Sequence, residues 1–158
     1  MTEEEKIKQE LEGKFAYLKD KTVIKREKRI FADLPLDKFA EVFAYAAKNM
    51  GFDGLSAITG LDTVSGFAAI YHLNRKGGVM LNLKVSLERE HPRVNTVTAY
   101  FPCAENYERE IADLLGIEVA GLPAGRRYPL PDNWPKDQHP LRKDWKPAPD
   151  NKREAQNA

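Results

Sequence analysis

Apolar residues recur at two spacings along the chain, and each spacing predicts one kind of element. Between residues 36 and 50 large apolar side chains return every three or four positions, which predicts a helix with one buried face. Asp33 and Pro35 favour a helix start there, and Gly51 favours its end. Residues 3–18 and 106–115 carry apolar stripes of the same spacing. The pattern therefore predicts three helices.

Alternation of apolar and polar residues predicts strands in the middle of the chain. It is clearest in "VMLNLKVSL" (79–87), it continues in "GFAAIYHLN" (66–74), and "LSAIT" (55–59) is a shorter candidate. The charged stretch "TVIKREKRIFADL" (22–34) fits one exposed edge strand. "NTVTAYFPC" (95–103) fits either a last strand or a short helical turn. We expect an α+β fold in which a mixed or antiparallel sheet of about four strands is covered by helices, with an extended Pro-rich C-terminal segment.

Regular periodicity ends after Gly116. Seven of the ten prolines lie between Pro123 and Pro149, and proline locks φ and removes a backbone donor. Both tryptophans lie in the same stretch, although exposed indoles lower solubility and are rare in disordered linkers. Trp and Arg are typical of interface hot spots, so we expect this stretch to lie against a partner. The predicted parts are an α+β core (1–116), an extended partner-wrapping segment (117–150) and a frayed terminus (151–158).

Charge and cysteine content exclude several classes of function. Lys plus Arg total 25 and Asp plus Glu total 24, whereas binding to nucleic acid phosphates needs a basic excess. The single cysteine, Cys103, cannot form an internal disulfide or hold an iron–sulfur cluster or a structural zinc. The acidic N-terminus is unlike a signal peptide, and no apolar run approaches the length of a membrane span. We expect a soluble, cytoplasmic protein, and if it works at a membrane, something else must hold it there.

The chain shows no catalytic centre of its own. Its three histidines lack metal-ligand spacing, and Cys103 lacks the partners that activate a nucleophile. On the last predicted helix, an Arg109–Asp113 pair at i, i+4 would stabilise a solvated face by about 0.3–0.5 kcal/mol. The alternative interpretation is a charged cluster that binds a partner or tunes a neighbouring redox site. The cluster comprises Glu108, Arg109, Glu110 and Asp113.

The segment after Gly116 has the same two interpretations. It is either a flexible basic tail or a surface that pairs arginines with a partner's carboxylates and inserts apolar side chains into its grooves. The alternation of aromatic anchors with arginines favours the second. The candidate residues are Arg126, Arg127, Trp134, Leu141, Arg142, Lys143 and Trp145.

The charged cluster on the last predicted helix and the arginines and tryptophans after Gly116 follow one another in a characteristic order. This order resembles the 30 kDa subunit family of respiratory complex I (NADH:quinone oxidoreductase), which includes the related subunits of membrane-bound hydrogenases and sulfur-reducing complexes. The resemblance covers roughly residues 55–145. At three positions of the family motif this chain has Leu122, Ala124 and Gly125 in place of His, Asp and Leu. The departure is compatible with a hydrogenase-type or sulfur-reducing relative. The matching residues are Glu108-Arg109-Glu110, Asp113, Gly116, Gly121, Pro123, Arg126-Arg127, Leu130-Pro131, Trp134 and Pro140-Leu141-Arg142-Lys143-Asp144.

The resemblance implies a cofactor-free peripheral-arm subunit of an ion-pumping oxidoreductase complex at the cytoplasmic face of the cell membrane. Its partners would be a large catalytic subunit, homologous to the [NiFe] hydrogenase large subunit, and a small iron–sulfur subunit. Iron–sulfur clusters, with a nickel–iron centre in hydrogenase-type members, would lie in those partners. The alternative is a free-standing binding module or small enzyme of unknown substrate. The residues expected to contact partners are Glu108, Arg109, Glu110, Asp113, Arg126, Arg127, Trp134, Leu141, Arg142, Lys143, Asp144 and Trp145.

Overall fold

The computed structural model describes residues 1–147 and confirms the predicted α+β class. Three helices accompany a five-stranded mixed sheet and a two-stranded ribbon. The predicted frayed terminus, 151–158, lies outside the described residues. In chain order the elements are α1 (Glu3–Lys14), a 3₁₀ turn (Ala16–Leu18), β1 (Thr22–Arg26), β2 (Arg29–Leu34), α2 (Leu36–Asn49), β3 (Gly54–Asp62), β4 (Gly66–Asn74), β5 (Met80–Glu88), β6 (Arg93–Asn95), α3 (Ala104–Leu115) and β7 (Glu118–Ala120).

The main sheet has the strand order β1-β2-β5-β4-β3. The three strands predicted in the middle of the chain, β3, β4 and β5, pair in antiparallel order, whereas β2 pairs with β5 in parallel. Its core face is apolar, with Ile58, Tyr71 and Leu83 aligned across three strands and fully or almost fully buried. Helix α2 covers this face, and the rings of Phe39 and Tyr71 lie 4.6 Å apart.

The stretch predicted as one edge strand is a hairpin of β1 and β2. The prediction was wrong here because the turn depends on a contact from another element. Lys28 adopts a left-handed φ of 59°, and its N–H donates to Oε1 of Glu4 in α1 at 2.6 Å. Hydrogen bonds from main-chain amides, its own and that of Lys28, lower the pKa of Glu4. Helix α1 therefore fixes the hairpin turn.

Helix α3 begins at Ala104, two residues earlier than the predicted start at residue 106. Its end is as predicted. Gly116 has a φ of 71°, a left-handed conformation that glycine adopts without strain, and its N–H bonds back to Ala112. The helix lies on β3, and a short parallel ribbon of β6 and β7 joins the chain on either side of it.

Candidate docking surface around helix α3

The segment 117–147 runs back over helix α3 and satisfies main-chain carbonyl groups at its C-terminal end. The main-chain N–H of Leu141 donates to the Leu114 carbonyl at 3.0 Å. Nε of Arg142 donates to the Leu115 carbonyl at 2.7 Å, and Nδ1 of His139 lies 2.8 Å from the Asp113 carbonyl oxygen. Cationic donors are favoured at a helix C-terminus, where carbonyl groups lack intrahelical partners. Arg142, expected at a partner surface, therefore has an internal role in capping α3.

Asp113 holds the first part of this segment. Its Oδ1 accepts from Nε of Arg127 at 3.0 Å, and its Oδ2 accepts from the Leu130 N–H at 2.9 Å. Arg127 also donates to the Trp134 carbonyl at 2.7 Å. The predicted Arg109–Asp113 pair does not form; Arg109 instead pairs with Glu105 at 2.7 Å. Asp113 and Arg127 thus anchor the segment within the chain.

A second anchor lies at the far end of the segment. The guanidinium of Arg89 bridges two carboxylates, with Asp62 at 2.9 Å and Asp144 at 3.0 Å. The main-chain N–H of Lys143 donates to Oδ2 of Asp62 at 2.9 Å. Hydrogen bonds from Arg89, and then from the Lys143 amide, hold the pKa of Asp62 well below its usual range. Asp62 and Arg89 are not predicted from the sequence, because their partners are far away along the chain and no local pattern marks them.

Glu108, the first residue of the Glu-Arg-Glu motif, lies inside the domain. Its side chain is fully buried, and its carboxylate accepts from the Val97 N–H at 2.7 Å and from the Thr96 hydroxyl at 2.6 Å. Burial raises the pKa of Glu108. The expectation that Glu108 contacts a partner was wrong, because it has no accessible surface. It joins α3 to the loop after β6.

Other candidate residues remain at the surface. The side chain of Arg126 is 81% exposed, and Leu141 is 57% exposed. The two tryptophans lie on each other with ring centroids 5.9 Å apart, and both remain partly exposed. Glu110, Lys143 and Asp144 also keep accessible surface. These residues could contact another chain without any rearrangement of the core.

Between α3 and the segment there is a basic cleft of about 530 Å³. Its charged lining is mostly paired within the chain, for example Arg126 with Asp132 at 2.9 Å. Lys136 is exposed and forms no ion pair within residues 1–147. Among the same residues, no three His, Cys, Asp or Glu side chains converge as they would around a metal ion. The cleft can contribute hydrogen bonds and charge to a protein contact.

Among residues 1–147, most of the buried apolar side chains form one cluster. A single continuous core between the sheet and its helices holds the fold together. None of the helices within residues 1–147 combines the length and apolar character needed to cross a bilayer.

Residues 32–151 match the family described as the respiratory-chain NADH dehydrogenase 30 Kd subunit. The chain belongs to this family. It is 34% identical over 116 residues to the C subunit of NADH-quinone oxidoreductase from Moorella thermoacetica, a match that covers 72% of this chain and 77% of the relative. It is 33% identical over 146 residues to the C subunit of F(420)H(2) dehydrogenase from Methanosarcina mazei, which covers 90% and 92% of the two chains. The resemblance inferred from the motifs is confirmed.

The fold of this chain also agrees with that of a protein of known structure. A chain of the membrane-bound sulfane sulfur reductase, an archaeal respiratory membrane complex, matches with a TM-score of 0.80 and 27% identity. The match covers 92% of this chain and 86% of that one. The relatives are therefore subunits of oxidoreductases that use different donors and acceptors, and the predicted class, a subunit of an oxidoreductase complex, is confirmed.

Proposed function

We propose that this chain is a cofactor-free peripheral-arm subunit of a membrane-associated, ion-pumping oxidoreductase complex. In this complex it braces the large catalytic subunit on the cytoplasmic side, while iron–sulfur clusters and any nickel–iron centre lie in partner subunits. The observation that carries the proposal is the family match over residues 32–151, which includes the whole of α3 and the segment anchored on it. Subunits of a dehydrogenase and of a sulfur reductase are similar to this chain over nearly its full length.

The bracing role follows from how the segment 117–147 is held. Its inner side binds α3 through Asp113 and its far end binds Asp62 and Arg89. Its outer side presents Arg126, Leu141 and the paired indoles. A segment that is already positioned loses less conformational entropy on binding than a flexible tail. We infer that the segment presents a preformed surface to the large subunit.

The direct test is purification of the tagged full chain from membranes of the producing cells in a mild detergent. We expect it to elute with a large catalytic subunit and a small iron–sulfur subunit in one assembly. Iron and labile sulfide should be measured in that fraction. A native pool of monomer size, without co-eluting iron–sulfur proteins, would favour the free-standing binding module or small enzyme instead.

A matched pair of variants tests whether the outer side of the segment contributes. Arg126→Ala removes an exposed ion pair with Asp132. Arg93→Ala, at a residue outside the segment, removes an exposed ion pair with Glu118. Each exposed pair contributes at most about 1 kcal/mol to folding, so both variants should fold. We expect Arg126→Ala to lower the assembled fraction by about fivefold or more, as truncation of an interface residue does, and Arg93→Ala to leave it unchanged. Equal behaviour of the two variants would contradict a role for Arg126.

A further inference from the structure

The two edges of the main sheet differ in how they are protected. The edge strand β1 has five residues, ends in Lys25 and Arg26, and changes register between Ile24 and Arg26. Short length, charged residues and irregular pairing all prevent an edge from accepting another strand. The opposite edge, β3, has nine residues, contains no proline and carries no charge before its last residue. Its own irregularity lies near its start, between Leu55 and Ala57, and leaves the remainder regular.

The outer backbone groups of β3 can be assigned from its hairpin with β4. The Thr63 N–H donates to the Gly66 carbonyl at 3.0 Å, so this pair is hydrogen-bonded across the ladder. Hydrogen-bonded and non-bonded pairs alternate in an antiparallel ladder. Ile58 and Gly60 therefore direct their N–H and C=O groups away from β4. Within residues 1–147 no other main-chain group pairs with either of them.

A groove of about 360 Å³ runs beside these unpaired groups. Consecutive residues of β3 from Ala57 to Gly60 form one side, which shows that the groove follows the strand backbone rather than one face of the sheet. The other side is α3, which contributes Tyr107, Ile111 and Leu114. Leu141 of the C-terminal segment lies at the groove as well and is 57% exposed. The groove thus combines a row of main-chain donors and acceptors with an apolar wall.

The charge of the groove indicates what it can bind. Glu110 is the one charged side chain among its lining residues in the described part of the chain, and it forms no ion pair there. An α-helix uses its own backbone groups internally and could not pair with Ile58 and Gly60, whereas an extended chain can. The chain's final residues, 150–158, contain no large apolar residue that would fill the apolar wall.

We propose that this groove binds an extended segment of another subunit of the complex, which adds to β3 as a sixth strand. Its apolar side chains lie against Tyr107, Ile111 and Leu114, and a Lys or Arg of the segment pairs with Glu110. The inference rests on the proposed function, since the segment is contributed by a subunit of that complex. It differs from a contact made only by the outer side of residues 117–147, because it requires new main-chain hydrogen bonds at Ile58 and Gly60.

Hydrogen–deuterium exchange tests the strand directly. The tagged full chain is measured alone and within the purified complex, by mass spectrometry with backbone fragmentation that separates single amides. In the free chain, the Ile58 and Gly60 amides should exchange rapidly while those of Thr59 and Leu61, which face β4, stay protected. In the complex, the Ile58 and Gly60 amides should slow by at least about tenfold. The molecular mass of the free chain is measured at the same protein concentration.

A charge reversal provides the matched variant. Glu110→Lys should lower the assembled fraction by about tenfold, the order expected when like charges meet at an interface. Glu90→Lys makes the same change at an exposed residue outside the groove that has no ion pair within residues 1–147 and should assemble normally. Protection of both amides in the complex, together with a loss specific to Glu110→Lys, supports the proposal.

The other outcomes overturn the proposal and separate it from the proposed function. If the wild-type chain assembles but the Ile58 and Gly60 amides stay unprotected, or the two charge reversals behave alike, the addition of a sixth strand to β3 is refuted. The role as a subunit is then unaffected. If these amides are already protected in a free chain of twice the monomer mass, the occupant is a second copy of the chain. If the wild-type chain enters no complex, the proposed function fails and the inference fails with it.

Discussion

Substitution of Glu108, whose carboxylate is buried, tests whether the first residue of the Glu-Arg-Glu motif stabilises the folded domain. Glu108→Ala removes both acceptors and leaves the Val97 N–H, which now bonds at 2.7 Å, buried without a partner. An unsatisfied buried donor costs about 1–3 kcal/mol, and the lost hydrogen bond to the Thr96 hydroxyl adds about 1 kcal/mol or more. We therefore expect a loss of about 2–5 kcal/mol from a total stability of about 5–15 kcal/mol.

Glu108→Gln separates hydrogen bonding from charge. The amide oxygen can accept from the Val97 N–H, and the amide NH₂ can donate to the Thr96 hydroxyl oxygen, so the loss should be smaller than for alanine. Since the pKa of Glu108 is raised in the folded chain, the folded state binds the proton more tightly than the unfolded state. Ionisation of Glu108 therefore lowers stability as the pH rises from the unfolded value, about 4.3, through the folded pKa. The advantage of wild type over Glu108→Gln should be largest in acid and shrink as the pH rises.

The assay is urea unfolding of the isolated full chain, followed by tryptophan fluorescence and circular dichroism at several pH values. Glu110→Ala is the control, because its carboxylate has no hydrogen-bond partner within residues 1–147 and its loss should change stability by at most about 0.5 kcal/mol. A cost below about 1 kcal/mol for Glu108→Ala, or a pH dependence that is the same in Glu108→Gln, would refute the internal role.

Two further predictions concern packing and acid stability. Gly60→Ala would place a Cβ 2.5 Å from Cδ1 of Leu115 and should cost about 1–3 kcal/mol in urea unfolding, whereas Gly13→Ala, in a helix with nothing within 4 Å, should stabilise by up to about 1 kcal/mol. Asp62→Asn should destabilise the chain at neutral pH because it weakens the pair with Arg89. Since the pKa of Asp62 is lowered by folding, wild type should lose this advantage as the pH falls below about 3.9 toward the folded pKa. The urea midpoints of wild type and Asp62→Asn should therefore converge in acid.

Elements with a strong local period could be predicted from the sequence. Helix α2 and strands β4 and β5 follow their predicted bounds closely, because one face of each is continuously apolar. The β1–β2 hairpin could not be predicted, since its turn has no glycine and is held by Glu4 from another element. The short strands β6 and β7 were also not predicted, and they pair across the length of α3.

The candidate site was located by its motif, but the orientation of α3 was predicted only in part. Helical spacing predicts a buried stripe of Tyr107, Ile111, Leu114 and Leu115. In the structure the most deeply buried side of the helix includes Glu108 together with Ile111 and Leu115. From the sequence alone, a charged residue is assigned to the exposed side of a helix unless its partners are known. The partners of Glu108 are main-chain and hydroxyl groups of a preceding loop. The anchoring of residues 117–147 depends likewise on side chains distant in sequence.

The contrast between the two sheet edges also limits how copies of this chain can associate. Head-to-tail stacking would require β3 of one molecule to pair with β1 of the next, and β1 is shortened, kinked and positively charged at its end. Without that pairing, no open-ended fibre can grow through the backbone, and any association through β3 closes after one added strand. The free chain therefore lacks the route to polymerisation that a long unpaired strand otherwise provides.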